Sequence, residues 1–345
     1  MRLTCCVASF ALLLLGGLTA PAPAHAAKPV GPAYTDPAQT DDDFVFQGEY
    51  AGAATIDGQD LRLGIQVVAL GDGKFDLIAY PGGLPGAGWM PPEKMRGTGT
   101  RQGTGQDAVV VLEGVDWTGQ QRRGEIRGGA VVAVAADGSV VAKFPKVDRT
   151  SPTLGAEPPA GAVVICDGAG PVDEKATLAG ARLTADGLLM EGVTTQREFG
   201  DARWHVEFRL PYQPRDRGQA RGNSGAYFHG SYEVQMLDSF GLDGKDNECG
   251  GIYKAAPPRV NMCLPPLAWQ TYDVDFSAPR FEAGKKVKNA RITVRHNGVV
   301  IHDDVEIATL TPGGTVKEER PTGPLHLQDH GNPVRYRNIW VLPQP

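Results

Sequence analysis

The chain has 345 residues, with 34 Lys and Arg against 40 Asp and Glu, and its formal net charge is −6. Basic residues occur only in short runs such as Arg122-Arg123, which argues against a nucleic-acid-binding surface. The 45 Gly and 27 Pro, set between many short Val, Ile and Phe runs, predict an all-β chain with many turns and room for about two domains.

Residues 1–26 have the pattern of a secretory signal peptide. Arg2 supplies a positive charge, residues 10–15 form a short apolar run, and Ala24-His25-Ala26 fits a small-x-small cleavage site. A membrane anchor is the alternative, but the run is short for a bilayer span and no other segment is long and apolar enough. We therefore expect a secreted or periplasmic protein whose mature chain has no membrane span.

Three cysteines remain after the predicted cleavage. Cys249 and Cys263 lie close together in sequence and flank a strand-like stretch. Because export permits disulfides, we predict a disulfide between these two residues and a buried thiol at Cys166. A zinc site is the alternative, but the C-x-x-C spacing is absent.

The first half predicts a small β domain over residues 44–148. It has hairpin turns at Asp57-Gly58 and Asp72-Gly73, each set between apolar runs. Residues 27–43, rich in Pro, Ala and Asp, are expected to be disordered. Residues 149–162 are rich in Pro, Gly and Ala without periodicity, and are predicted to be an interdomain linker.

The second domain, residues 163–345, shows clean alternation of apolar and polar side chains. Residues 204–210, 223–229 and 232–238 each read as a strand with one buried and one wet face. No stretch has a long helical period. Two antiparallel sheets packed face to face are therefore predicted, which is a β-sandwich of the jelly-roll type.

The polar faces of these three strands carry groups that can bind sugar hydroxyls or move protons. An ordinary solvated sheet face is the alternative. Gly225 leaves room for a ligand near the backbone, and Asn223 and Gln235 are poor strand formers, so a site is favoured. The polar residues are His205, Glu207, Arg209, Asn223, Tyr227, His229, Glu233 and Gln235.

Glu233 and Asp238 are a candidate acid and base. Their odd spacing points them to opposite faces of a regular strand, so they converge only through a bulge or a strand end. A retaining glycosidase needs two carboxyl groups about 5 Å apart. An ordinary two-carboxylate glycosidase is therefore not well supported.

Two loops complete the candidate chemistry. Residues 327–338 contain a turn in which His330 is an acid, base or metal ligand and Arg335 faces an oxyanion; a purely structural corner is the alternative. Residues 238–248 carry many Asp and Asn oxygens. They lack the EF-hand pattern, so a solvated loop is the alternative to calcium binding there.

Several long motifs together resemble the 3-keto-disaccharide hydrolase domain family over residues 163–342. They are, in order, RGNSGAYFHGSYEVQMLDS, CGGIYKAAPPRVN, PPLAWQTYDVDFSAPRF, ARITVRHNGVVIHDDVEI and GPLHLQDHGNPVRYRNIWV. One departure is His229, which stands where that family more often has Gln. The N-terminal region, with QGEY and YPGGLPGAGW, resembles a module found ahead of this domain in secreted bacterial proteins.

The resemblance implies a concanavalin A-like jelly roll that cleaves 3-keto-glycosides. Such an enzyme removes the proton at C2, eliminates the C1 substituent and adds water, and it has a carbohydrate as its partner. We predict Glu233 and His330 as the catalytic groups, with a divalent metal as an optional cofactor. The predicted substrate-binding residues are Glu207, Arg209, Asn223, Tyr227, Gln235, Asp238, Gln328 and Arg335. A carbohydrate-binding module without activity and a glycoside hydrolase acting on unoxidised sugars are the alternatives.

Overall fold

The computed structural model describes residues 30–56, 58–168 and 178–344, and their regular secondary structure is almost only β-strand. The strands form a closed eight-stranded barrel, a sandwich of a five-stranded and a seven-stranded sheet, and a small hairpin. The predicted all-β class with a jelly-roll sandwich is confirmed. The predicted signal peptide lies outside the described residues.

The barrel is an up-and-down meander in which each strand pairs antiparallel with the next. β1 and β8 pair to close it. Asp72 and Gly73, with φ of 54° and 69°, form the tight turn between β2 and β3, as two-residue hairpin turns of this hand require. The strands are β1 (Gly48–Ile56), β2 (Gln59–Gly71), β3 (Lys74–Pro81), β4 (Met95–Gln102), β5 (Val109–Val115), β6 (Gln121–Arg127), β7 (Ala130–Val134) and β8 (Val140–Val147).

The sandwich contains all the remaining strands except the two of the small hairpin, Arg280–Glu282 and Lys285–Lys288. Its five-stranded sheet has the order β10-β12-β21-β14-β15, and its seven-stranded sheet has the order β11-β22-β13-β16-β19-β20 with β9 beside β22. The remaining strands, with the hairpin, are β9 (Val163–Cys166), β10 (Leu178–Ala179), β11 (Leu189–Met190), β12 (Val193–Thr195), β13 (Ala202–Arg209), β14 (Ser224–Phe228), β15 (Tyr232–Met236), β16 (Trp269–Ser277), β17 (Arg280–Glu282), β18 (Lys285–Lys288), β19 (Ala290–His296), β20 (Val299–Ile307), β21 (His326–Leu327) and β22 (Arg335–Pro343). Three short 3-10 helices span Pro37–Gln39, Gly105–Asp107 and Gly218–Ala220.

The core of the sandwich consists of the inward faces of the two sheets. Trp204 and Phe208 of β13 meet Phe228 of β14 and Val234 of β15, and all four side chains are buried. This is the apolar half of the alternation in the sequence. The polar half of each strand consequently lies on the outer face of its sheet.

Residues 30–43 were expected to be disordered, but the structure gives them specific partners. Tyr34 and Tyr212 exchange two backbone hydrogen bonds of 2.9 Å, and the rings of Tyr34 and Phe44 lie 5.8 and 5.0 Å from the ring of Tyr212. The Pro- and Asp-rich composition concealed these aromatic anchors. The segment therefore joins the start of the barrel to the sandwich.

The predicted linker is also in contact with the sandwich. Residues 149–157, here called the strap, lie on the outer face of the seven-stranded sheet. Thr153 donates to Asp273 at 2.6 Å, the hydroxyls of Ser151 and Thr271 lie 2.6 Å apart, and Trp340 donates to the Ala156 carbonyl at 3.2 Å. Small and polar residues in this segment give a close fit to the sheet rather than the loose spacer that its composition predicted.

The barrel and the sandwich share apolar packing. Val68, Ile78 and Tyr80 of the barrel belong to the same buried cluster as the sandwich core. Arg221 of the sandwich donates to the Ala69 carbonyl at 3.2 Å, in a region from which water is largely excluded. No helix within the described residues is long and apolar enough to cross a membrane.

The predicted disulfide between Cys249 and Cys263 is absent, and both residues are buried free thiols. The Cys249 sulfur lies 3.3 Å from the Tyr272 hydroxyl, and the Cys263 thiol donates to the Leu237 carbonyl at 3.6 Å. Hydrogen bonds rather than a covalent bond hold this loop to β15: the N–H of Gln235 donates to Gly251 at 2.9 Å. Cys166 is buried and free, as predicted.

Candidate active site

The structure places the predicted site residues on two different sheets. β13, which carries Glu207 and Arg209, pairs with β16 and β22 in the seven-stranded sheet, whereas Tyr227 and Glu233 belong to the five-stranded sheet. Their polar faces point away from each other because the core lies between the sheets. The polar faces of residues 204–210, 223–229 and 232–238 were expected to form one surface, and this expectation is wrong. Alternation predicts which face of a strand is polar but not which sheet the strand joins.

Glu207 is fully buried under the strap. It accepts hydrogen bonds from the Gly155 N–H at 2.5 Å, Asn338 Nδ2 at 2.9 Å and Arg337 Nε at 2.8 Å. Burial alone would raise the pKa of Glu207, but hydrogen bonds from His205, Asn338 and Arg337 outweigh it and lower the pKa to about 2. Glu207 fastens the strap to the sheet, and its predicted substrate contact stays a prediction.

The two predicted binding arginines also lie in the seven-stranded sheet. Arg209 donates to the Thr35 carbonyl at 3.1 Å, and its guanidinium carbon lies 5.1 Å from the Trp269 ring centre. Arg335 donates to Glu191 at 2.9 Å. The two guanidinium groups are thus bonded to Thr35 and Glu191 rather than to Glu233.

Asp238 is an ion-pair partner in the contact between the two domains. Its Oδ2 accepts from Arg221 Nε at 2.6 Å, and both side chains are buried. The substrate contact of Asp238 stays a prediction, and the bulge that would have brought it to Glu233 is absent from the pairing of β14 with β15.

Four side chains form one row across neighbouring strands on the outer face of the five-stranded sheet. Thr194 of β12 pairs with His326 of β21, His326 with Tyr227 of β14, and Tyr227 with Glu233 of β15. We call these four residues the Glu233 row. Direct cross-strand neighbours lie about 5 Å apart, so the sheet register itself positions the row.

Hydrogen bonds and ring contacts connect the Glu233 row. The Tyr227 hydroxyl lies 2.7 Å from Glu233 Oε2, and the rings of Tyr227 and His326 are 5.8 Å apart. His326 Nδ1 lies 2.9 Å from the Thr194 hydroxyl. Burial lowers the pKa of His326, so its imidazole is neutral at pH 7.

Glu233 is a buried carboxyl group with a strongly shifted acidity. Only 2% of the residue is exposed, and burial raises its pKa to about 8 although the hydrogen bond from Tyr227 opposes the shift. At pH 7 the carboxyl group is consequently mostly protonated. Perturbed acids of this kind mark functional sites, because they can give up or accept a proton near neutral pH.

The contacts of Tyr227 agree with a protonated Glu233. The Tyr227 hydroxyl has one proton, but two acceptors lie close: Glu233 Oε2, and the Pro312 carbonyl at 3.0 Å. If Glu233 is protonated, it donates to the Tyr227 oxygen and Tyr227 donates to Pro312. Gln328 Nε2, at 3.3 Å, adds a further donor to the same oxygen, so every group is satisfied.

Two glycines make room for this arrangement. Gly225 lies two residues before Tyr227 and on the same face of β14. A Cβ at Gly225 would overlap the Glu233 carboxyl group. A Cβ at Gly313 would come within 2.5 Å of the Tyr227 hydroxyl. Gly225 therefore allows the carboxyl group to lie flat on the sheet, which the sequence indicated only as a close approach.

A cluster of amide side chains adjoins Glu233. Gln219 Oε1 accepts from Asn223 Nδ2 and from Gln235 Nε2, each at 3.2 Å. Within the described residues, Asn223 Oδ1 and Gln235 Oε1 are buried without a hydrogen-bond partner. Buried acceptors of this kind call for donors, and a sugar hydroxyl is a suitable donor.

The loop after β21 places the other predicted residues. Gln328 contacts Tyr227, as described, and its N–H donates to Gly225 at 2.9 Å. His330 is half-buried in the same loop, which reaches Asn223 through a 2.7 Å hydrogen bond from the Asn223 N–H to Asn332. The catalytic role of His330 stays a prediction.

His229 lies away from the Glu233 row, with its ring 4.6 Å from that of Phe276.

Sequence reasoning missed His326, a member of the Glu233 row, and two residues that contact Gln235 or Glu233, namely Gln219 and Tyr253. His326 alternates with Gln328, so the pattern of 324–330 already placed both on one face. Gln219 and Tyr253 lie outside regular strands. Tyr253 reaches the site because its N–H donates to the Glu233 carbonyl at 3.2 Å, and no periodic signal predicts such a contact.

The optional metal does not fit this site. Nowhere in residues 30–56, 58–168 and 178–344 do three or more His, Cys, Asp or Glu side chains converge as metal ligands would. In residues 238–248, where calcium binding is the alternative to a solvated loop, Glu248 accepts from the N–H groups of Gly244 and Lys245 at 2.7 and 3.0 Å. We derive no step through a metal.

Comparison with known proteins identifies the family. Residues 116–342, well over half of the chain, match the family described as "3-keto-alpha-glucoside-1,2-lyase-like domain". The chain belongs to this family. Family membership confirms the resemblance found in the sequence and supports a glycosidase-like activity on sugars. No curated protein matches the chain.

Solved structures from Parabacteroides distasonis resemble this member of the 3-keto-alpha-glucoside-1,2-lyase-like family. One, named a "putative glycosyl hydrolase", has 29% identity and a TM-score of 0.48, covering 54% of this chain and 84% of its own. A second of the same name has 16% identity and a TM-score of 0.36, covering 48% and 84%. A third has 20% identity and a TM-score of 0.34, covering 48% and 90%.

Proposed function

We propose that the protein cleaves glycosides whose sugar carries a ketone at C3. Two observations support this: the family membership, and the buried Glu233 carboxyl group with a pKa of about 8 in a row of proton-moving side chains. The second observation carries the proposal. A plain glycosidase would instead need two carboxyl groups facing one substrate, and Glu233 has no carboxylate partner in its row.

The chemistry of a 3-keto-glycoside matches such a site. The ketone acidifies the hydrogen at C2, and a base removes it to give an enolate. The electron pair then expels the oxygen at C1, an acid protonates that oxygen, and an enone remains. Addition of water to the enone, with the oxygen at C1 and a proton at C2, completes a net hydrolysis. The reaction needs one acid, one base and donors for the enolate.

In the proposal Glu233 is the acid. Its carboxyl group is protonated at neutral pH, so it can donate to the departing oxygen, and Tyr227 holds it in place. His326 is the second proton-transfer group, because its imidazole is neutral at pH 7 and can act as a base. Asn223 and Gln235 bind hydroxyl groups of the sugar through their unpaired oxygens.

The test compares a disaccharide with its 3-keto form, each incubated with wild-type protein and with Glu233→Gln. We expect sugar release from the keto form alone, and a loss of roughly 100-fold or more in Glu233→Gln. Wild-type kcat/KM should fall above pH 8 as Glu233 ionises. The matched control is Glu306→Gln, an exposed glutamate in β20, which should keep wild-type turnover.

Each other outcome has a defined meaning. Full turnover by Glu233→Gln would remove Glu233 from the mechanism. Equal turnover of the unoxidised disaccharide would identify a plain glycoside hydrolase. Binding of either sugar without turnover by the wild type would identify a carbohydrate-binding module.

We also propose that the protein is exported. The support is the charged, apolar and small-residue pattern of residues 1–26. N-terminal sequencing of protein recovered from outside the cytoplasm should begin near Ala27. Recovery of an uncleaved cytoplasmic chain would contradict the proposal.

A further inference from the structure

The barrel is filled at one end and hollow at the other. The rings of Phe46 and Phe75 lie 6.2 Å apart in the filled part, with Val67 and Val110 buried in the same cluster. The remaining interior is a cavity of about 270 Å³. Eight-stranded barrels have an interior that side chains can fill or that can hold one small ligand, and this barrel does both along its length.

The walls of the cavity are mainly apolar, and its charged lining residues are Glu113, Asp116, Arg122 and Arg123. Residues from all eight strands line it, and the apolar ones include Leu63, Ile65, Leu77, Met95, Leu112 and Val131. An apolar cavity of this kind does not hold water well and favours an apolar occupant. Its volume is roughly nine times the 30 Å³ that one water molecule occupies in the liquid, which leaves room for an alkyl chain of about eight to ten carbons.

One end of the barrel is sealed by the chain that enters it. Asp43 accepts from the Gly73 N–H at 2.8 Å, and the Tyr50 hydroxyl donates to the Phe46 carbonyl at 2.7 Å. These bonds hold residues 43–47 over the end where the turn between β2 and β3 lies. A ligand therefore has to enter from the opposite end.

The opposite end is open and carries exposed apolar side chains. Trp117, in the turn between β5 and β6, is 37% exposed, and Val141 at the start of β8 is 42% exposed. Both line the cavity, so the apolar surface continues from the interior to the mouth. Exposed apolar surface that continues into a cavity is typical of a ligand entrance.

The charged groups at the mouth compensate one another. Arg122 donates to Asp116 at 2.7 Å, and Arg123 lies 3.5 Å from Glu113. Among the described residues that line the cavity, the two acidic side chains are matched by two basic ones. The mouth consequently offers hydrogen-bonding groups to a polar head but no net attraction for an anion or a cation.

We propose that the barrel binds one molecule with an alkyl chain of about eight to ten carbons and an uncharged polar head. The chain occupies the cavity, and the head lies at the mouth between Trp117 and the charged pairs. This inference does not depend on the proposed sugar chemistry, since the cavity lies within the barrel and Glu233 lies on the sandwich.

The test is titration calorimetry of the full-length protein with 1-decanol and with decanoate at pH 7.5. We expect one molecule of 1-decanol per chain, bound at least tenfold more tightly than decanoate. No binding of 1-decanol would overturn the proposal. Equal or tighter binding of decanoate would overturn the assignment of an uncharged head.

Variants localise the binding. Ala133→Phe fills the cavity and should weaken 1-decanol binding at least tenfold, whereas Ala53→Phe, on the exposed outer face of β1, should leave it unchanged. Ala79→Leu fills less space and serves if Ala133→Phe does not fold. Unchanged binding in a folded cavity-filling variant would place the ligand elsewhere and overturn the proposal.

Discussion

Glu233 and Glu207 are both buried carboxyl groups, yet their surroundings shift their pKa values in opposite directions. Glu233 has one hydrogen bond from a neutral hydroxyl, and burial raises its pKa to about 8. Glu207 accepts from an arginine, an amide and a backbone N–H, and its pKa falls to about 2. The first is therefore suited to proton transfer and the second to holding structure.

Replacing Glu233 should change how stability depends on pH. The folded state keeps the proton of Glu233 up to about pH 8, whereas the unfolded chain releases it near the ordinary pKa of 4.5. Glu233 therefore supports folding fully below pH 4.5, and this contribution is lost as the pH rises to 8. We therefore expect that, as the pH rises between these values, the free energy of unfolding of Glu233→Gln increases relative to that of the wild type by on the order of 4 kcal/mol, measured by urea unfolding. A constant difference across this range would contradict the shifted pKa.

Glu207→Gln should give the reverse pattern. It removes a carboxylate that several donors share, so we expect a loss of roughly 2 to 3 kcal/mol in the free energy of unfolding at pH 7. The contribution of Glu207 is present above pH 4.5 and is lost as the pH falls towards 2, so the variant and wild type should converge in acid. Turnover per folded molecule should stay at the wild-type level. A lower turnover per folded molecule of Glu207→Gln would show instead that Glu207 contributes to the active site.

At the scale of strands, the sequence predicted correctly which face of each strand packs in the core, but it did not predict which sheet each strand joins. Residues 204–210, 223–229 and 232–238 correspond to β13, β14 and β15. The predicted apolar faces pack in the core, but the polar faces, expected to be wet, are buried as well. The alternation of residues shows only which side of a strand is apolar and which is polar. Which strands become neighbours depends on long-range pairing such as that of β13 with β22, and no local pattern contains this information.

The register between β14 and β15 predicts the effect of Gly225→Ala. The new methyl group would overlap the Glu233 carboxyl group, while the extended backbone at this position accepts alanine. Thermal unfolding and turnover of the keto disaccharide should show a loss of about 1 to 3 kcal/mol and at least a tenfold drop in kcat/KM. Gly200→Ala, whose Cβ would lie 3.6 Å from its nearest neighbour, is the control and should change neither. Full activity in Gly225→Ala would show that the carboxyl group need not lie where it does.

The barrel and the sandwich should unfold together because they share a buried cluster. Val68, Ile78 and Tyr80 are covered only while the sandwich is folded against them. Scanning calorimetry should therefore show one transition, and two well-separated transitions would contradict the shared core.

Two aspartates at this contact provide a matched comparison. Asp238→Ala leaves the buried Arg221 without its carboxylate and should cost about 3 to 5 kcal/mol while keeping a single transition. Asp243→Ala removes an exposed partner of Arg96 and should cost at most about 1 kcal/mol. Equal effects of the two changes would show that burial of the Arg221 pair contributes nothing.

The strap determines where a fragment that contains only the sandwich should begin. Composition alone would draw the boundary of an expression fragment inside residues 149–162, yet Thr153 and Gly155 are fastened to β16 and β13. A fragment that starts after this segment would expose Glu207 and Trp340 to solvent. Anyone transplanting the catalytic half into another protein should carry residues 149–157 along with it.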